Sequence, residues 1–129
     1  MKDKLEIRYQ AETGIVYIKV LDFIDFEGVK QMWQDAFAMI DKHQSTKVLM
    51  DIKNAKVIPL EAQQWVIQEL APILVSKNIK MARTTSDNIF NQASSKRLYQ
   101  DIKNLNKTAF HNLGVFNTLQ EAEEWLVKG

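Results

Sequence analysis

The chain has 129 residues, 46% hydrophobic and 26% charged, the composition of one ordinary soluble domain. It has no cysteine, which excludes disulfides, thiol nucleophiles and cysteine-based zinc sites. Its 17 Lys plus Arg against 16 Asp plus Glu leave a net charge of +1, which gives no electrostatic footprint for nucleic acid or an anionic membrane.

Leu5, Ile7 and Tyr9, then Val16, Ile18 and Val20, alternate around Thr13-Gly14 and predict an antiparallel hairpin. The period then changes. Phe26, Val29, Trp33, Ala36, Phe37 and Ile40 form one helical stripe over 26–42. Met32 and Met39 widen that stripe enough to bury against a second copy of the chain, an expectation of a homodimer.

KVLMDI is a short apolar run suited to a strand buried on both faces. After KNAKVI, Pro59 suits the first turn of a helix expected to carry Leu60, Trp65, Val66, Leu70 and Ile73 inward. Pro72 removes a backbone donor and should kink that helix or end its regular part. Asn78 closes it and IKMART is the next strand. SDNIF opens a third helix, with Ser86 or Asp87 as N-cap.

A strand over Leu113–Phe116 and a helix in NTLQEAEEWLVKG complete the chain. In that last helix Thr118 and Glu121 make a capping box, and Leu119, Ala122, Trp125 and Leu126 the inward stripe. The order ββαβαβαβα predicts an α/β domain, 1–129. Its mixed sheet is mostly parallel, with an N-terminal antiparallel hairpin, and is covered by about four helices. No apolar run nears the ~20 residues that span a bilayer. MKDKLEIRYQ has no signal-peptide core, so the expected location is cytoplasmic, without membrane insertion.

DIKN occurs at Asp51–Asn54 and again at Asp101–Asn104, but the first copy ends a strand and the second lies in a polar-faced helix. Their flanks differ, so this is no repeat. Only the first stands where α/β sheets place their sites, beyond the carboxyl ends of the strands.

The leading hairpin, KVLMDIKNAKVIPLEAQQWV, the proline in ELAPIL, the strand IKMA and the closing VFNTLQEAEEWL resemble, in order and spacing, the STAS/SpoIIAA-like superfamily. The resemblance is greatest to its uncharacterised single-domain bacterial members and runs over nearly the whole chain. It implies that superfamily's fold and a regulatory, protein-binding role. In the anti-sigma-factor antagonists of this superfamily, an Asp ends the central strand and a phosphorylatable Ser opens the next helix. The Asp matches Asp51, whereas the Ser position falls at Leu60 or Glu61, neither of which can be phosphorylated.

The candidate rim is Asp51, Lys53 and Asn54 after one strand, and Arg83, Thr85 and Ser86 after the next. Arg83 with the hydroxyls of RTTSDN has the chemistry to hold a phosphate or carboxylate at a helix start. The same residues also read as an ordinary capped loop, since the glycines that wrap backbone around an anion are missing. Asp51 reads either as a general base or as an acceptor for its own loop backbone. His43 and His111 lack partners at metal-ligand spacing, so no metal is expected. No catalytic set and no cofactor motif is recognisable. Two functions are therefore carried forward: a noncatalytic protein-interaction module and, alternatively, a carrier or sensor of a small anionic or amphipathic ligand.

Overall fold

The computed structural model describes residues 5–56, 59–84, 100 and 112–128. Strands β1 (Leu5–Gln10) and β2 (Ile15–Val20) form the hairpin, in unbroken register from Leu5 opposite Val20 to Gln10 opposite Ile15. Its turn closes where the Gly14 N–H donates to the Gln10 carbonyl at 2.8 Å. Gly14 takes φ +73°, a left-handed conformation that glycine adopts without a Cβ penalty. Beyond β2 lie β3 (Lys47–Asp51), β4 (Lys80–Thr84) and β5 (Leu113–Phe116), all parallel to it. The sheet runs in the order β1-β2-β3-β4-β5, so the mixed sheet follows the expected plan.

Helix α1 (Phe26–His43) starts at Asp25, whose Oδ1 accepts the Gly28 N–H at 2.7 Å. It ends at Gln44, in the left-handed region with φ 55°. Its buried residues Val29, Met32, Trp33, Ala36 and Ile40 share one core with Val16, Ile18, Val20, Val48 and Met50 of the sheet. Met32 is fully buried and Met39 packs partly against this core. The methionine-widened face expected to meet a second copy is thus spent on the chain's own sheet.

The next helical stretch has three parts: α2 (Leu60–Trp65), a π-helical segment (Val66–Leu70) and α3 (Ala71–Ser76). Pro72 explains the middle part. Its ring cannot donate and would crowd the carbonyl four residues back, and the wider π turn just before it makes room. The helix neither stops nor needs a sharp break.

The wide turn also shifts the helical phase. Leu70, Ala71 and Leu74 are buried, whereas Ile73, expected inward, is 39% exposed. Leu60 was expected inward too, yet it stands in the first turn beyond the sheet end and is 61% exposed.

The opposite face of the sheet is covered by α4 (Leu119–Lys128). One half of the predicted capping box is present, with the Glu121 N–H donating to Thr118 Oγ1 at 3.1 Å; Glu121 Oε1 accepts from the Thr118 hydroxyl at 3.0 Å in place of its backbone N–H. Ala122 and Leu126 pack on Ile15, Tyr17, Leu49 and Ala82, with Trp125 and Phe116 at the margin. Leu119, expected in the stripe, lies in the capped first turn and is exposed. The helix predicted from Ser86, with Ser86 and Asp87 themselves, lies outside the described residues, as do Thr85 and His111. Among the described residues no helix is long and apolar enough to cross a membrane.

Candidate functional site

Among the described residues, four parallel strands end on the same side of the sheet, so the segments leaving β2 and β3 share one rim with the end of β4. On this rim, Asp51 Oδ1 accepts the Lys53 N–H at 3.1 Å, and the turn closes where the Ala55 N–H donates to the Ile52 carbonyl at 3.0 Å. An aspartate ending a strand and binding its own loop is a common local motif. A second bond crosses the sheet: Thr84 Oγ1 donates to Asp51 Oδ1 at 3.1 Å and accepts the Ile52 N–H at 3.0 Å. Asp51 therefore acts here as an acceptor that fixes the loop. The same turn leaves Lys53 and Asn54 exposed.

Arg83 does not join Asp51. Side chains alternate along a strand, and Arg83 sits opposite Met50 in the β3–β4 register. It therefore points to the α1 face, whereas Asp51 and Thr84 belong to the face covered by α4. The two groups of the predicted rim are separated by the thickness of the sheet. Arg83 is buried, with 9% of its surface exposed. Among the described residues, none forms an ion pair or hydrogen bond with its guanidinium. Burial disfavours its charge and brings its pKa down to about 10.

Two apolar residues join this rim that the sequence does not place there: Leu60, expected inward, and Phe23. Phe23, in the loop between β2 and α1, is 46% exposed, and Leu60 opens α2 on the neighbouring loop. Large exposed apolar side chains at the same end of the sheet as exposed Lys53 and Asn54 give this end a mixed apolar and polar surface. The signal for Leu60 was its place directly after Pro59, since a first-turn residue stands at the end of the helix rather than over the sheet.

At the opposite end of the sheet an open recess of about 340 Å³ is bordered by Thr46, Lys47, Asn78, Lys80, Asn112 and Val127. Lys80 Nζ lies 4.2 Å from the centre of the Trp125 ring, so this lysine is held over an aromatic face. The recess adjoins the amino ends of β3 and β4, away from the rim.

No protein-family model matches this sequence, and no curated protein matches it. Among solved structures, the chain is similar to a candidate anti-sigma factor antagonist from Thermotoga maritima. The TM-score is 0.68 over 97% of this chain and 95% of that one, at 14% sequence identity. Identity that low carries the fold and not the function. The hairpin, the parallel strands and the closing helix on the far face together make this the STAS/SpoIIAA-like fold.

Proposed function

We propose that this is a single-domain, cytoplasmic, noncatalytic interaction module that docks another protein on the carboxyl rim of its sheet, through Phe23, Lys53, Asn54 and Leu60. The observation that carries the reading is Leu60, 61% exposed at the first position of α2 and flanked on the same rim by a second exposed apolar side chain. The likeness to an anti-sigma factor antagonist supports a regulatory, protein-binding role. Asp51 reads as structural, since its Oδ1 serves Thr84 and the Lys53 N–H. With Leu60 or Glu61 at the place where the resemblance puts the phosphorylatable serine of the antagonists, contact at this point is not released by phosphorylation of that side chain.

Affinity capture from the source cells tests the reading. The wild-type chain and Val127→Ser, a change at the opposite end of the molecule, should retain the same specific partner. Leu60→Asp and Phe23→Ser should each lose it. Equal capture by all four proteins would remove the rim from consideration.

Arg83 favours a second reading, a sensor of a small anionic ligand. Arg83 is largely buried, yet no side-chain nitrogen or oxygen among the described residues is fully buried without a partner, so its guanidinium keeps a contact with solvent through which a small anion can reach it.

A further inference from the structure

The outer strand β1 has one partner, β2, and its other edge carries no strand among the described residues. Such edges are usually blunted with charged side chains, lysine above all, or with proline or a bulge, and the charges β1 carries, Glu6 and Arg8, are of opposite sign. Within Leu5–Gln10 there is no lysine or proline, and the register with β2 runs without a bulge. The strand is instead chemically symmetric about its middle. Leu5, Ile7 and Tyr9 lie half-buried toward the α1 core, while Glu6 and Arg8 are exposed on the other face.

We propose that β1 pairs antiparallel with β1 of a second copy of this chain, about a two-fold axis at Ile7, extending the sheet from five strands to ten. The axis stands normal to the sheet, so each face meets its own kind, and residues of equal parity stand opposite one another. Centring on Ile7 sets Ile7 against itself and Leu5 against Tyr9. It also sets Glu6 against Arg8, twice. Centring on Glu6 or on Arg8 instead sets like charges directly opposite, which destabilises a strand pair. The sequence therefore selects one register.

Arg8 is already oriented within its own chain, with its guanidinium 4.1 Å from the centre of the Tyr17 ring. Its approach to Glu6 of the same strand is long, 3.9 Å between Nε and Oε1, with both side chains about half exposed. An exposed pair of that kind contributes little on its own and leaves Glu6 available across the edge. This interface is separate from the carboxyl rim and does not depend on the rim's function.

Sedimentation equilibrium on the full chain decides the matter, with circular dichroism confirming that each variant is folded. The wild type should form dimers. Glu6→Arg and Arg8→Glu should each weaken the dimer by about tenfold or more, because both cross-strand pairs become repulsive. The double reversal should restore it. Mixing the two single variants should also restore it as a heterodimer, since two arginines then face two glutamates. A wild type that stays monomeric at ~100 μM, a concentration at which even weak dimers populate, would overturn the proposal. So would single reversals that leave a dimer intact, or mixed single variants that do not associate.

Discussion

Thr84 and Asp51, 33 residues apart in sequence, are joined across the sheet by a hydrogen bond of 3.1 Å, and the same threonine hydroxyl accepts the Ile52 N–H. Both Thr84 and Ile52 are buried. Replacing Thr84 with valine keeps the shape and removes the acceptor, leaving a buried N–H unsatisfied. The expected loss is about 1–3 kcal/mol. Thr84→Ser, which retains the hydroxyl, should lose much less. Urea unfolding midpoints of the three proteins measure the difference.

Arg83 makes the opposite prediction, a gain. Burial brings its pKa in the fold below the ordinary value, to about 10. For a base this shift is a cost, fully present below pH 10 and relieved as pH rises beyond it. Arg83→Met should therefore be more stable than wild type near neutral pH, by on the order of 1–3 kcal/mol. Inorganic phosphate serves as a probe of the sensor reading. If Arg83 receives an anion, phosphate raises the wild-type Tm and leaves that of Arg83→Met unchanged. An equal response in both proteins removes the ligand reading.

Tyr17 is expected to give the fold an alkaline limit. Its hydroxyl donates to Glu123 Oε1 at 2.9 Å, tying β2 to α4. Burial first, and then the Glu123 carboxylate, push its pKa up from 10 to about 12. A raised pKa means stabilisation that is complete below pH 10 and lost as pH climbs through 12. Tyr17→Phe should be less stable than wild type at pH 8, by about 1 kcal/mol. That gap should shrink or reverse between pH 10 and 12. A gap constant with pH would show that the hydroxyl is not held as described.

Much of this was legible because it was local. The stripe of α1, the cap at Thr118 and the turn around Gly14 each rest on residues a few positions apart, and all three stand where patterning put them. Two misjudged positions lie near Pro72 and Pro59. Ile73 was assigned by counting through Pro72 at a regular helical period, and the π turn breaks that count. Leu60 stands at the first position of α2 and is exposed, so a face count alone misplaces it.

The candidate rim failed for a different reason. Grouping Asp51 with Arg83 required the register between β3 and β4, which no local pattern supplies. That register pairs Asp51 with Thr84 and turns Arg83 to the other face. Thr85 and Ser86, the rest of that group, fall outside the described residues.

The proposed protein contact on the carboxyl rim can be trapped in the cell. The most direct measurement places a photoreactive amino acid at Leu60, and separately at Val127, and irradiates living source cells. The account predicts one discrete cross-linked protein from position 60 and none from position 127. No adduct from position 60, or the same adducts from both positions, would contradict it.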